Sequence, residues 1–173
     1  MSSRPPFLGK YRGTVVNNVD PMMIGRIQVM VPAVSGVMLS SWAMPCVSVA
    51  GIQTGTFAVP IPGSGVWVEF EQGDPDYPIW VGGFWGTAAE VPALALTAPP
   101  PTPAFAISTP LKNGIVVSDG LGPMGVGGIV LQSTTGATIS VSDVGIIINN
   151  GKGAQISMVG PTVDINVGAL TVT

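Results

Sequence analysis

The sequence predicts an all-β protein with two parts, a small N-terminal barrel and a C-terminal rod of short strands built by several chains together. Only 9% of the 173 residues are charged, whereas glycine (24) and proline (17) are abundant, and both of these residues disfavour helices. Residues 7–86 contain short alternating segments separated by turn residues. Residues 129–173 alternate apolar with polar positions between recurring glycines, which is typical of strands with one buried face.

The barrel domain is predicted at residues 7–86, after an N-terminal arm at residues 1–6. Five or six short antiparallel strands in about 80 residues suggest a small closed barrel such as an OB-fold. The segment Gln72–Asp76 supplies a turn between the last two strands, because its glycine, aspartates and proline are turn formers. The sequence contains no convincing helix start here. The predicted strands are Tyr11–Val16, Arg26–Val31, Trp42–Val49, Thr56–Pro60, Val66–Phe70 and Ile79–Gly83.

Residues 87–110 are rich in alanine, proline and threonine and are predicted to form a linker. The run Pro99–Pro103 favours extended polyproline geometry and hence a semi-rigid spacer. Six prolines between Val91 and Leu111 argue against a membrane-spanning helix in this uncharged stretch. No signal peptide is expected, because no apolar segment follows Arg4. The single cysteine, Cys46, excludes an internal disulfide and fits assembly in a reducing cytoplasm.

The rod is predicted at residues 111–173, where glycines recur roughly every eight residues. Such short strands offer only two or three inward side chains each, too few to offset an ordering cost of about 1–2 kcal/mol per residue. We therefore expect an intertwined triple-stranded β-helix, a homotrimer in which strands pair between chains and their apolar faces meet on a common axis. The predicted axis residues are Ile139, Val141, Ile146, Ile148, Ile156, Met158, Val163, Ile165, Val167, Leu170 and Val172.

Several motifs in the barrel region are specific enough to suggest a family. The most specific is the hairpin Gly73–Pro78, which an apolar strand and Gly82 follow. Residues 7–86 resemble the OB-fold domain of contractile-tail spike proteins, a family that includes phage baseplate assembly protein V, the phage tail spike and the valine-glycine repeat proteins of type VI secretion. The residues that carry the resemblance are Gly25, Arg26, Pro60, Gly63, Val66, Val68, Gly73, Asp74, Pro75, Asp76, Pro78 and Gly82.

The resemblance implies a mechanical function. Some members of the family carry a lysozyme domain or a tip metal held by histidines, but this chain has no room for such a domain and contains no histidine, so no catalysis, cofactor or metal is expected. A spike of this family lies on the axis beneath the tail tube, is bound to a hub protein, and is driven through the target envelope when the sheath contracts. The family also places a three-chain β-helix after its OB domain. The protein would be assembled in the cytoplasm and become part of a phage tail or an extracellular injection particle.

A separate tip protein is also expected. A β-helix that ends within its repeat would expose unpaired backbone groups and apolar side chains. We therefore expect a PAAR-like tip protein to cover this end. The expected contact residues are Leu170, Thr171, Val172 and Thr173.

Three acidic or glycine-rich motifs suggest chemistry but fit structural roles better. Residues 120–125 match the phosphate-binding pattern G-x-G-x-x-G, yet a glycine-rich β-type run follows in place of a helix. Glu69 and Glu71 are separated by one residue on a predicted strand, which places their carboxylates about 6.5–7 Å apart, near the spacing of an inverting glycosidase. A solvent-exposed strand face explains them better. Asp74 and Asp76 could contact a cation, but a turn role is favoured.

The alternative function is an OB-fold binding module for single-stranded nucleic acid or oligosaccharide on a trimerising stalk. The aromatic residues Trp67, Trp80, Phe84 and Trp85 could form a stacking platform for bases. Only three basic residues lie in the barrel region, so no nucleic-acid partner is expected; they are Lys10, Arg12 and Arg26.

Overall fold

The computed structural model describes residues 6–97, 102, 104–120 and 127–172, which fall into two compact units, Met1–Ala88 and Ala89–Thr173. Most of the predicted N-terminal arm, most of the Pro99–Pro103 run, residues 121–125 of the glycine motif and Thr173 lie outside the described residues. Within the described part of the chain, no helix is long and apolar enough to cross a bilayer.

The first unit is a curled β-sheet with one small hairpin beside it. Its strands are β1 (Tyr11–Asn17), β2 (Gln28–Met30), β3 (Met44–Pro45), β4 (Ala50–Gly51), β5 (Thr54–Gly55), β6 (Gly65–Phe70) and β7 (Pro78–Phe84). Five of them form one sheet in the order β2-β1-β6-β7-β3, and β4 pairs only with β5. An antiparallel bridge between Ile27 and Ala43, with N–H···O distances of 3.1 and 2.7 Å, links the two outer strands. The sheet thereby curls into an OB-like barrel.

The barrel core follows from the alternation of its strands. On β6, Val66, Val68 and Phe70 point inward and are buried, whereas Trp67 and Glu69 point outward. Burial of each such apolar side chain contributes about 1.5–3 kcal/mol. The buried core residues are Val15, Ile27, Val29, Val31, Ala43, Val66, Val68, Phe70 and Trp80.

The segment between β3 and β6 differs from the sequence prediction. The strand predicted at Thr56–Pro60 is wrong, and that at Trp42–Val49 shortens to β3, because the chain folds into the hairpin β4–β5. Gly55 permits this tight return: its φ is +146°, and a Cβ there would lie 2.6 Å from the carbonyl oxygen of Val49. A four-residue helix α1 (Pro32–Ser35) also forms, with proline in its first turn.

The second unit is an eight-stranded antiparallel sheet in which each strand pairs with the next along the chain. The strands are β8 (Ala104–Ser108), β9 (Gly114–Ser118), β10 (Gly128–Gln132), β11 (Thr138–Ser142), β12 (Gly145–Asn149), β13 (Gln155–Val159), β14 (Thr162–Ile165) and β15 (Leu170–Val172). The all-β class is confirmed. Within one chain the turn residues form hairpins, so that each strand pairs with the next strand along the chain.

The C-terminal sheet begins earlier than residue 111. Strand β8 lies inside the segment 87–110 that was predicted as a linker, because the alternation of Phe105 and Ile107 pairs it with β9. Upstream, Leu94 is buried against Val116 and Val130. Part of the predicted linker therefore belongs to the folded unit.

Candidate functional site

The C-terminal sheet carries two rows of apolar side chains on one face, here called the apolar face. In register, every strand contributes one residue to each row. The first row is Phe105, Val117, Ile129, Val141, Ile146, Met158, Val163 and Val172. The second row is Ile107, Ile115, Leu131, Ile139, Ile148, Ile156, Ile165 and Leu170.

The apolar face is open in the isolated chain. Side chains in the middle of the sheet keep more than a third of their surface exposed, such as Ile146 at 36% and Ile148 at 41%. At the two edge strands the exposed fractions rise to 61% for Phe105 and 57% for Val172. A contiguous exposed apolar surface of this kind marks an interaction site.

The opposite face of the same sheet has a different composition. Its central row passes from Val116 and Val130, which pack against Leu94, to Ser140, Ile147, Ser157 and Asp164 further along the chain. Ser140 is only 3% exposed. The face that lacks a cover from its own chain is therefore the apolar one.

Ten of the eleven predicted axis residues lie in the two rows. Val167 does not: it lies in the turn between β14 and β15 with φ +54°, beside Asn166 at φ +51°. The backbone N–H of Gly168 donates to Oδ1 of Asp164 at 2.8 Å and fixes this turn, which interrupts the alternation. Sequence reasoning missed six row residues, although the same alternation continues upstream; they are Phe105, Ile107, Ile115, Val117, Ile129 and Leu131.

The predicted tip contact falls on the last strand of the sheet. Strand β15 pairs with β14 on one side, and no strand pairs with its other side among the described residues. Leu170 and Val172 are 55% and 57% exposed, and Thr171 lies opposite Asp164.

In the barrel, Asp20 organises the loop between β1 and β2 and holds Arg26 of the family motif. Its carboxylate accepts N–H bonds from the backbones of Met22, Ile24 and Arg26 at 2.9–3.2 Å. The Arg26 guanidinium donates twice to Oδ1, at 3.0 and 2.7 Å, and lies over the Trp42 ring. This guanidinium, with the backbone donors, holds the pKa of Asp20 well below its usual range against the opposing effect of burial. In the sequence, only the turn-forming pair Asp20-Pro21 indicated that Asp20 organises this loop.

We expect Asp20→Asn to lower the thermal midpoint of the barrel at neutral pH. We also expect the midpoint of the variant to fall less steeply than that of the wild type as the pH is lowered. A carboxyl whose pKa is lowered in the folded state contributes stability that is complete above its unfolded pKa of about 3.9 and is lost as pH falls below that value. Thermal unfolding followed by tryptophan fluorescence between pH 3 and 7 measures this, because all four tryptophans lie in the first unit. The exposed Asp76→Asn is the matched control. A D20N midpoint that falls with acid as steeply as wild type would contradict the prediction.

The remaining motif residues lie in turns, in the core and on strand β7 of the barrel. Gly73 adopts φ +80° and its carbonyl accepts the N–H of Phe7, while Oδ1 of Asp74 accepts the N–H of Asp76 at 3.0 Å in a turn. Trp80 donates its indole N–H to the carbonyl of Gly25. The other motif residues lie in the loop before β6 (Pro60 and Gly63), in the core (Val66 and Val68), in the turn (Pro75), and at the start and middle of β7 (Pro78 and Gly82).

Glu69 and Glu71, the two carboxylates with glycosidase-like spacing in the sequence, do not lie on the same strand. Glu69 lies on β6 and accepts a hydrogen bond of 2.6 Å from Lys10, whereas Glu71 begins a 3-10 turn after the strand ends. Ser41 donates its hydroxyl to the carbonyl of Asp76. Among the described residues, no three histidine, cysteine or acidic side chains form a metal-binding group.

The aromatic residues do not form one stacking platform. Trp80 is buried in the core, whereas Trp67 and Phe84 pack together at 5.0 Å on the outer surface. The Arg12 guanidinium lies 5.2 Å from each of these two ring centroids. With Lys10 bound to Glu69 and Arg26 bound to Asp20, the three basic residues of the barrel all contact partners within it.

Comparison with protein families gives two matches in chain order. The model of the type VI secretion system/phage-baseplate injector OB domain matches residues 11–85. The model of the phage baseplate V C-terminal trimerisation domain matches residues 104–171, which contain both apolar rows. No curated protein sequence matches the chain. The second unit is thus a trimerisation domain through which the chain self-associates. Since the two matches cover both folded units, the chain belongs to the phage baseplate V family of trimeric, structural baseplate spike proteins, which are components of phage tails and related injection systems.

Proposed function

We propose that this protein is the central spike of a contractile injection machine, a trimeric needle that pierces the target envelope when the sheath contracts. The apolar face carries this proposal. Sixteen aligned apolar side chains require cover, and three copies around a threefold axis can provide it, with the rows of each chain facing inward and the backbone ladders outside. We assign the ten axis residues named above to this core.

The architecture suits a load-bearing rod. Eight strands at a spacing of about 4.8 Å stack over roughly 34 Å. Along that stack, consecutive strands are joined by hydrogen bonds within each chain, and the apolar rows would join the three chains to one another. Bending the rod would expose the rows to water, at about 25 cal/mol per Å² of apolar surface. A rod with few charges also carries little desolvation cost when it crosses a lipid layer.

Two partners follow from this role. A hub protein would hold the barrel beneath the tail tube. A PAAR-like tip protein would cover the free edge of β15, where Leu170 and Val172 are more than half exposed and an open strand edge can accept a further chain. The contact with the target envelope would be transient.

Two measurements test the proposal at separate levels. Native mass spectrometry should give about 53 kDa, three times the chain mass of 17.6 kDa. Electron microscopy of whole particles with a tag on this chain should place the tag on the axis below the tube. A tag at the periphery of the baseplate would contradict the spike role while leaving the trimer intact.

Penetration requires its own readout. Particles assembled with a variant whose C-terminal rod is disrupted should contract normally. They should nevertheless fail to depolarise target cells. Depolarisation equal to that of wild-type particles would show that the rod is structural in the baseplate but does not pierce.

A further inference from the structure

We propose that the barrels of one trimer also contact each other, with the tip of hairpin β4–β5 of one barrel seated in an apolar groove of the next. This contact extends the association beyond the trimerisation domain. It rests on the threefold arrangement proposed above. The hairpin and the groove both lie within the first unit.

The receiving surface is an open groove of about 510 Å³ beside the hairpin. Its size lies within the range of about 300–1,000 Å³ that is typical of ligand sites. The Trp80 indole N–H at its base is already bound to the carbonyl of Gly25, so it requires no polar occupant. Apolar lining residues include Met44, Val47, Val49, Phe57, Val59 and Trp80.

The inserting element is the hairpin tip. Ile52 is 95% exposed and does not line the groove of its own barrel, although its neighbours Gly51 and Gln53 form part of one wall of that groove. Gln53 completes the turn with φ +56°, a conformation that is uncommon outside glycine. A hairpin that presents an isoleucine to solvent has the chemistry of an anchor residue for an apolar pocket.

Chain topology identifies the occupant as a second copy. Register pairs Thr14 with Gly65 and Gly65 with Phe84, so β7 ends at the same end of the barrel as β1. β3 runs parallel to β7 and pairs with Ile79 and Trp80 near its start. The chain beyond Pro45 therefore runs toward the end at which β7 finishes, and the hairpin begins five residues later at Ala50. The chain leaves the barrel here, toward the trimerisation domain.

Tethering favours contacts between these barrel ends. The segment between β7, which ends at Phe84, and β8, which starts at Ala104, has 19 residues and cannot span more than roughly 65 Å. Three barrels held this close meet at effective concentrations in the millimolar range. A tip-to-groove contact is heterologous, and three such contacts close a ring under threefold symmetry without leaving a free tip or groove.

Disulfide trapping between two distinguishable chains tests the contact. Cys46 is exposed and lies between Pro45 and Val47, which both line the groove. We would co-express the full-length wild-type chain with a C46S/I52C chain carrying a different tag, isolate trimers that hold both tags, and oxidise them. The expected product is a covalent dimer that contains both tags, at least about tenfold above the control, since disulfides form only between Cα atoms about 4.4–6.8 Å apart.

The control replaces Val37, which is 90% exposed at the other end of the barrel, in a C46S/V37C chain. Mixed trimers that yield no two-tag dimer, or as much dimer with V37C as with I52C, would overturn the proposal. Because only trimers enter the assay, either result leaves the trimer itself established.

A second measurement avoids cysteine chemistry. Ile52→Asp should lower the thermal midpoint of the tryptophan signal in the full-length trimer, whereas Val37→Asp should not, and both should retain trimer mass. Equal midpoints for the two variants would also contradict the contact.

Discussion

Ile148→Asp is expected to convert the trimer into a monomer of 17.6 kDa. Ile148 lies in the middle of the second apolar row, between Ile139 and Ile156 on the neighbouring strands. Since it is 41% exposed in the isolated chain, association buries the remainder, and its loss removes about 1 kcal/mol per copy. The larger effect is that three carboxylates would meet near the axis, at a cost of several kcal/mol for each buried charge. The total is on the order of 10 kcal/mol per trimer.

The matched control for this prediction is Val144→Asp. Val144 is 53% exposed in the short turn between β11 and β12, outside both rows. The V144D chain should remain trimeric by sedimentation equilibrium across micromolar concentrations. A trimeric I148D chain would show that the apolar face does not form the threefold core.

Gly145→Val is expected to disrupt the second half of the C-terminal sheet. Gly145 starts β12 with φ +157°, and a Cβ at this position would overlap the carbonyl oxygen of Met158 on β13. Backbone atoms of a paired strand cannot move aside without breaking the ladder, so the substitution should cost roughly 3–5 kcal/mol. Strands β12–β15 contribute half of each apolar row, and their loss should therefore abolish association as well.

Hydrogen exchange measures this outcome by segment. In G145V, amides of residues 145–172 should lose protection, whereas the barrel should retain it. Gly136→Asn is the matched control, because Gly136 has φ +86° with open space at its Cβ position, and asparagine tolerates this conformation. Its expected cost is under about 1 kcal/mol. Retained protection in G145V would show that the sheet can shift to accept a side chain.

Local patterns were sufficient to predict the class, the two-part organisation and most of the apolar rows. Alternation at Ile139 and Val141, and again at Ile146 and Ile148, indicated the exposed face directly, because side chains of a strand alternate between its two faces. Alternation alone could not reveal that Val167 lies in a turn. That depends on a hydrogen bond from Gly168 to Asp164, which no period-two pattern reports.

The remaining features depend on contacts between residues that are far apart in the sequence, and local patterns do not report such contacts. A repeat of about eight residues fits both interchain winding and a meander of hairpins, because both bury the same face. The role of Asp20 also depends on tertiary contact, since its carboxylate acts only when the loop brings three backbone N–H groups and Arg26 around it. In the same way, the curling of the barrel depends on the bridge between Ile27 and Ala43, sixteen residues apart in the sequence.

The pairing of each strand with its nearest neighbour in the sequence affects how the rod assembles. Contacts that are local along the chain form quickly, since little loop-closure entropy opposes them. Each chain can therefore complete its own C-terminal sheet during synthesis and then associate with two further copies. No polypeptide has to thread around another. The vulnerable species is the unassociated C-terminal sheet, whose exposed apolar face favours aggregation until two further copies of the chain cover it.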